Sequence, residues 1–290
     1  MNNNFQSNLF IVGYPKTGTT SLFEILAMHP KIAVSSEKEP GDWQHLRNFD
    51  PDHPKEYINY IHNFMTVPNA KYYLDGTTRY ILNEDAAGVI KNYNSCAKII
   101  IGLREPVEYL ASMCYQIGIN TGIPADFVRD MLDRSCSYAD PNYFNSVEKF
   151  ISVFGRESVF VYTLEDLIGD PVCINRNLME FLGLEVWPVE MPKKNASLIG
   201  KSALHAKLYK YLVYGAIPSQ LRRTLKSLGI SNIAKTREIF DRVFLKKSSF
   251  KMQLLEENPL LAHEIKMRFQ NDVRQLSVLL GRDFETLWGY

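Results

Sequence analysis

A glycine-rich turn between an apolar strand and a threonine-rich helix start constrains this chain more than any other feature. Residues 8–12 read NLFIV, the turn GYPKTG follows from Gly13 to Gly18, and Thr19 opens a stretch with helical apolar spacing. In this order of elements, open backbone N–H groups and the positive end of the helix dipole point at one place. We therefore expect the turn to bind a phosphate group.

The turn departs from the ATP- and GTP-binding loop in the position of its lysine. That loop reads G-x-x-x-x-G-K-[ST], whereas this chain has Thr19 after the second glycine and its lysine earlier, at Lys16. The apolar run 97–103 then ends in LREP, so Arg104 stands where a magnesium-binding carboxylate would complete an ATP site. We expect a ligand with two separate phosphates and no metal.

Short apolar runs that alternate with helical patterns predict an α/β fold. Runs at 8–12, 97–103 and 158–164 read as buried parallel strands, and 71–77 reads as a fourth. Each of the first three precedes a helical pattern, the last of which ends near Gly183. We predict a P-loop-like parallel sheet flanked by helices, a mainly helical C-terminal portion, and a single domain over residues 1–290.

The charge of the chain is unevenly distributed. Residues 193–251 hold 14 Lys and Arg against two acids, although the net charge of all 290 residues is +1. Such a block is either a solvated helical face or a surface for anionic partners. No signature of a nucleic-acid-binding module accompanies it, so we expect no nucleic-acid partner.

Cysteine spacing and hydropathy argue against a zinc site, a signal peptide and a membrane span. The four cysteines lie far apart without the spacing of a zinc site. The N-terminal segment lacks the basic region of a signal peptide, and no apolar run approaches the ~18 residues of a membrane span. We expect a cytoplasmic protein with no transmembrane segment.

Two motifs together resemble the sulfotransferases. GYPKTGTTSL resembles their 5′-phosphosulfate-binding loop, and LREPVEYLASMCYQ resembles their 3′-phosphate-binding segment, R-x-P-x-x-x-x-x-S, with Arg104 and Ser112 at the phosphate-contacting positions. YTLEDLIGDP with NLMEFLGL, and the ending LLGRDFETLWGY, are similar to further family segments. The likeness runs from about residue 8 to residue 290.

This resemblance implies 3′-phosphoadenosine 5′-phosphosulfate (PAPS) as the sulfuryl donor, adenosine 3′,5′-bisphosphate (PAP) as the product, and transfer without a metal. Lys16 would stabilise the leaving group at the oxygen between sulfate and phosphate. A basic residue of the later region, Lys193, Lys194 or Lys201, would contact the 3′-phosphate. The implied donor-binding residues are Pro15, Lys16, Thr17, Gly18, Thr19, Thr20, Ser21, Arg104, Ser112 and Lys201.

On the acceptor side, the segment SSEKEPGD is similar to the KE segment of the heparan-type and bacterial carbohydrate branch. By that match Glu39 is the general base and Lys38 contacts the reacting centre, although the segment is also consistent with an ordinary hydrated loop. His29 and His45 are rival bases, because other branches of the family use histidine. The implied acceptor is a hydroxyl, or less favourably an amine, of a carbohydrate or small metabolite.

The acceptor segments also depart from the family pattern. YYLDGTTRY has Asp75 and Gly76 where those enzymes carry a Glu-Lys pair, which argues against a strongly anionic polysaccharide as the acceptor. A purely structural turn is the alternative for 75–79, and residues 117–140 could cover the acceptor. The candidate acceptor contacts are Asp42, Asp75 and Thr78, with Thr77 and Arg79 beside them.

Two other classes of function remain open at this point. One is an ATP-dependent kinase with a degenerate loop, which needs magnesium-binding carboxylates that the sequence does not offer. The other is a non-catalytic protein that binds nucleotides or polyanions through the basic block.

Overall fold

Five parallel strands form the central sheet of this computed structural model, which describes residues 6–36, 38–40, 67–121, 141–188, 198–200, 245–247 and 259–290. In spatial order the sheet runs β2-β3-β1-β4-β5, with every neighbouring pair parallel. The strands are β1 (Leu9–Ile11), β2 (Ile32–Val34), β3 (Tyr72–Asp75), β4 (Lys98–Leu103) and β5 (Val159–Thr163).

Helices follow the strands along the chain and flank the sheet. A single turn of 3₁₀ helix, Thr78–Leu82, follows β3 directly. The α-helices are α1 (Thr19–Ala27), α2 (Ala86–Tyr93), α3 (Pro106–Thr121), α4 (Tyr143–Phe154), α5 (Leu164–Gly169), α6 (Pro171–Leu182), α7 (Pro259–Leu280) and α8 (Phe284–Trp288).

This architecture confirms the predicted fold class. Each of the four predicted strands contains an observed one, and α6 ends where Gly183 adopts a left-handed conformation with φ 58°. Strand β2 was not predicted, because a run of three residues is too short to give a periodic signal. A short antiparallel pair, β6 (Leu198–Gly200) with β7 (Leu245–Lys247), was not predicted either.

Apolar residues of the central strands are buried on both faces of the sheet. Leu9 and Ile11 of β1 belong to the same buried cluster as Leu22 of α1 and Leu178 of α6. Phe10 points to the opposite face and meets the ring of Tyr93 edge-on, with centroids 6.2 Å apart. Burial on both faces explains why these strands read as continuous apolar runs.

The chain divides into two compact units. One comprises residues 1–105, 141–193 and 269–290 and contains the five-stranded sheet; the other comprises residues 106–140 and 194–268. A single domain over 1–290 stays a prediction. None of the helices within the described ranges combines the length and apolar character needed to cross a bilayer.

A bidentate ion pair ties the C-terminal segment to α5. Arg282 Nη1 lies 2.5 Å from Asp166 Oδ2, and Nη2 lies 2.8 Å from Oδ1. Partial burial acts to raise the pKa of Asp166, but hydrogen bonds from Arg282 and Thr163 and the charge of Arg282 outweigh it, so the pKa is lowered. The pair therefore stabilises the fold while Asp166 is ionised.

Replacement of this carboxylate tests the ion pair. Asp166→Asn should lower the free energy of unfolding by about 1 kcal/mol at neutral pH, a value suited to a partly exposed pair. Because the folded-state pKa lies below the unfolded value of about 3.9, the difference from wild type should shrink as pH falls through the folded-state pKa. Denaturant unfolding at pH 7 and pH 2.5 measures this, with the exposed Glu180→Gln as control. A gap of equal size at both pH values would contradict the assignment.

Candidate functional site

The candidate site lies at the carboxyl edge of the sheet, where parallel strands all end. The turn 13–18 leaves β1, residues 76–78 leave β3, and Arg104 leaves β4. Lys38 and Glu39 follow shortly after β2. Residues that are far apart in sequence are thus placed along one edge.

Two glycines allow the turn to pass directly over β4. A Cβ atom on Gly13 would overlap the backbone nitrogen of Gly102. A Cβ on Gly102 would lie 2.6 Å from both Thr17 Oγ1 and the Tyr162 hydroxyl. Neither position has room for a side chain, so the close approach of the two chain segments requires glycine at both.

The backbone of the turn is left-handed at two positions. Gly18 has φ 83°, which suits glycine, but Lys16 has φ 66°, which is uncommon for a residue with a side chain. The Thr17 hydroxyl donates to the Tyr14 carbonyl oxygen at 2.6 Å and holds the turn from within. Such local strain concentrates at binding and catalytic sites.

Two cations meet at this turn. Arg104 Nη1 donates to the carbonyl oxygen of Lys16 at 3.3 Å. Burial of the ammonium, and then the charge of Arg104, lower the pKa of Lys16. A bound anion would offset this repulsion, because both positive charges attract it. The arrangement therefore fits a phosphate- or sulfate-bearing ligand.

Three distant side chains hold Arg104 and Glu105 in place, two of them through the backbone. The Tyr143 hydroxyl donates to the Arg104 carbonyl oxygen at 2.9 Å, and Glu165 Oε1 accepts from the N–H of Glu105 at 3.1 Å. The hydroxyl of Tyr290 donates to Glu105 Oε1 at 3.3 Å. Sequence reasoning missed these supports, because no motif marks a hydroxyl that acts from 39 or 185 positions away.

Lys38, Glu39 and Thr78 form a hydrogen-bonded cluster beside the start of α1. Lys38 Nζ donates to Glu39 Oε1 at 3.0 Å and to Thr19 Oγ1 at 3.3 Å. The hydroxyl of Thr78 donates to the same Glu39 oxygen at 3.0 Å. The carboxylate is thus placed next to the glycine-rich turn 13–18, and its side chain is 34% exposed.

The Asp75 carboxylate is buried and hydrogen-bonded to neighbouring residues. It is fully buried at the end of β3. Its Oδ1 accepts the N–H of Thr77 at 2.8 Å, and its Oδ2 accepts the hydroxyl of Tyr80 at 3.0 Å. These bonds shape the turn after β3, and a contact of Asp75 with the acceptor stays a prediction.

His29 also has its ring nitrogens engaged. Nδ1 accepts the N–H of Lys31 at 3.1 Å, so the proton belongs on Nε2, which donates to the Glu185 carbonyl oxygen at 3.1 Å. The imidazole is buried and closes the end of α1. This geometry gives the ring a structural task and favours Glu39 over His29 as the base.

The remaining sequence candidates divide into described and undescribed positions. Pro15 lies in the turn, Thr20 and Ser21 lie in the first turn of α1, and Ser112 is buried in α3. Asp42, His45, Lys193, Lys194 and Lys201 lie outside the described residues, as do residues 122–140 of the predicted acceptor cover. Within the described ranges, no group of three or more His, Cys, Asp or Glu side chains is arranged to hold a metal ion.

Comparison with protein families gives one match over most of the chain. The sequence model described as "Sulfotransferase domain" matches residues 6–199. The chain is 23% identical over 194 residues to mouse bifunctional heparan sulfate N-deacetylase/N-sulfotransferase 4, which covers 60% of this chain and 22% of the mouse protein. It is 32% identical over 101 residues to the membrane-associated sulfotransferase kil1 of Dictyostelium discoideum, covering 35% of this chain and 21% of that protein.

A solved structure shares the fold. The crystal structure of a sulfotransferase from Alicyclobacillus acidocaldarius superposes with a TM-score of 0.53 at 24% sequence identity. The match covers 73% of this chain and 93% of that one. Both curated relatives are much longer than the region that matches. This chain spans about a fifth of the length of each.

The Gly13–Gly102 contact can be tested by adding one methyl group. Gly13→Ala should lower stability by about 1–3 kcal/mol, because the Cβ meets backbone that cannot move aside independently. Gly88→Ala is the matched control: it lies in α2 with nothing within 4 Å of the new Cβ, so it should raise stability by up to about 1 kcal/mol. Thermal unfolding of both variants measures the effect. Equal midpoints for the two would contradict the close approach.

Proposed function

The chain belongs to the sulfotransferase domain family, and from this premise we propose that it transfers a sulfuryl group from PAPS to an acceptor hydroxyl without a metal ion. The observation that carries the proposal is the pairing of Lys16 and Arg104 at one turn, close to a carboxylate held by Lys38 and Thr78. The reaction needs an anionic donor and a group that accepts a proton, and two cations and a carboxylate along the same edge of the sheet support this proposal.

In the proposal, PAPS supplies the sulfuryl group, whose bond to the 5′-phosphate breaks as a bond to the acceptor oxygen forms. The backbone N–H groups of the turn and the start of α1 bind the 5′ end, as helix N-termini bind anions generally. Arg104 is the proposed contact of the 3′-phosphate, and for Ser112 and Lys201 the same role rests on the sequence resemblance alone. The internal hydrogen bond of Thr17 assigns its hydroxyl to the turn, so its contribution to donor binding comes from the backbone.

Lys16 stabilises the charge that develops on the leaving oxygen. Its ammonium is partly buried, so the interaction is screened less than it would be in water. Burial of the ammonium, and after it the charge of Arg104, lower the pKa of Lys16, and a bound polyanion opposes both effects. Donor binding therefore favours the protonated ammonium that the chemistry requires.

Glu39 accepts the proton of the acceptor hydroxyl, and Lys38 donates hydrogen bonds both to Glu39 and to Thr19, the first residue of α1. This position lets Lys38 serve both partners: it donates a hydrogen bond to the carboxylate and places a positive charge near the transferred group. Alignment and charge stabilisation are the main sources of rate in transfers of this kind.

The acceptor in the proposal is a carbohydrate or a small metabolite, with an amine as the second choice to a hydroxyl. The match covers 22% of the mouse heparan sulfate relative. Its name supports a likeness to the heparan-type branch of the family, and the acceptor of this chain is a proposal. Asp42 stays a proposed acceptor contact outside the described residues, whereas the buried Asp75 supports the turn that carries Thr78.

Donor binding can be tested by calorimetry with PAP. Wild-type protein should bind PAP equally with and without magnesium, and should not bind ATP in a magnesium-dependent manner. Arg104→Ala should weaken PAP binding by about tenfold to a hundredfold, the value of one charged hydrogen bond. The exposed Arg176→Ala is the control. Magnesium-dependent ATP binding would instead support a kinase, and binding only to polyanions a non-catalytic protein.

The proposed base is tested by removing its charge. Glu39→Gln should reduce the rate of PAP formation from PAPS by about 10²–10⁴-fold, the usual contribution of a general base. Its affinity for PAP should not change, since the glutamine keeps the size of the side chain. The exposed Glu24→Gln is the matched control. Glycosides, phenols and amines are offered as acceptors together with radiolabelled PAPS. Near-normal turnover of Glu39→Gln would remove Glu39 from the mechanism.

A further inference from the structure

We propose that Thr78 is a positioning residue for Glu39: its hydroxyl holds Oε1 of the carboxylate, so that Oε2 is the oxygen that takes the acceptor proton. The inference rests on the proposed function and adds to it a residue and an atom. In this role Thr78 acts through Glu39 and does not contact the acceptor itself.

The two oxygens of Glu39 have different surroundings. Oε1 accepts one hydrogen bond from Thr78 Oγ1 and one from Lys38 Nζ, each at 3.0 Å. Among the described residues, none donates to Oε2 in the same way. Both donors engage Oε1, which leaves Oε2 as the oxygen for a proton.

Of these two donors, Thr78 is the rigid one. Its side chain is 2% exposed and opens the 3₁₀ turn that follows β3. That turn is fastened by Asp75, which accepts from the N–H of Thr77 and from the hydroxyl of Tyr80. Lys38 reaches Glu39 on a flexible four-carbon stem, so it contributes charge but little orientation.

The absence of a side chain at Gly76 lets the segment that contains Lys38 lie against the end of β3. A Cβ on Gly76 would lie 2.7 Å from the carbonyl oxygen of Lys38 and 2.8 Å from Cδ2 of Phe23. The backbone of Lys38 therefore rests directly on the exit of β3. Because of this contact the hydroxyl of Thr78, a side chain with only one rotatable carbon bond, reaches the carboxylate of Glu39.

The role of Thr78 follows from how proton transfer depends on geometry. The acceptor hydroxyl loses its proton to Oε2 as its oxygen forms the new bond to sulfur, and PAP leaves with the electron pair of the broken bond. A misplacement of about 1 Å in such an arrangement costs about 10²-fold in rate. Loss of the Thr78 hydroxyl should therefore lower turnover and leave donor binding intact.

The test compares Thr78→Val with Thr78→Ser. The probe is PAP formed from PAPS, with methyl glucoside, phenol and water offered as acceptors. Thr78→Val keeps the shape of the side chain without its hydroxyl, and kcat should fall about 10- to 100-fold, with KM for PAPS and Kd for PAP within about twofold of wild type. Thr78→Ser keeps the hydroxyl and should restore kcat to within about threefold. Thr286→Val, which removes an exposed hydroxyl in α8, is the control.

A double-mutant cycle separates positioning from general loss of structure. When Glu39 is already Gln, Thr78→Val should cause little further loss, because the two residues act as a unit. A full additional loss in that background, or weakened PAP binding by Thr78→Val, would overturn the inference. So would normal turnover of Thr78→Val beside an inactive Glu39→Gln, which leaves the proposed function standing. PAP binding by wild-type protein without any turnover of PAPS would overturn the proposed function itself.

Discussion

The contact between Gly13 and Gly102 underlies the rest of the site. Parallel pairing of β1 with β4 brings both glycines to the carboxyl edge of the sheet, and without side chains they let the turn lie against the neighbouring strand. From this contact follow the left-handed backbone at Lys16, the position of the α1 N-terminus, and the reach of Arg104 to the Lys16 carbonyl oxygen. A bulkier residue at either glycine would separate the two cations from a shared ligand.

The same edge carries two kinds of electrostatic arrangement. At the turn, positive groups are close enough to repel one another, and this unfavourable arrangement makes the site receptive to an anion. Beside it, Glu39 is surrounded by donors from Lys38 and Thr78. The positively charged turn and the carboxylate proposed as the base thus lie next to each other, linked by the hydrogen bond from Lys38 to Thr19.

Sequence reasoning succeeded where local chemistry carries the signal and failed where distant residues meet. The turn, the four longer strand signals and Gly183 as a helix end follow from residue type and spacing within about ten positions. The hydrogen bonds of Asp75 do not, since whether a carboxylate faces solvent or a buried tyrosine depends on packing. Residues such as Tyr143 and Tyr290 carry no motif, and their contacts with Arg104 and Glu105 exist only in the folded chain.

The amino-acid sequence by itself determined the fold class, the glycine-rich turn and the family resemblance, because strand periodicity, glycine spacing and the displaced lysine are properties of short contiguous segments. Only the tertiary structure decided which oxygen of Glu39 is held, which histidine is engaged elsewhere, and why Gly76 carries no side chain. Those outcomes depend on distances of a few ångströms between segments that leave different strands. Such distances are set by the pairing and packing of the whole sheet, and no local pattern encodes them.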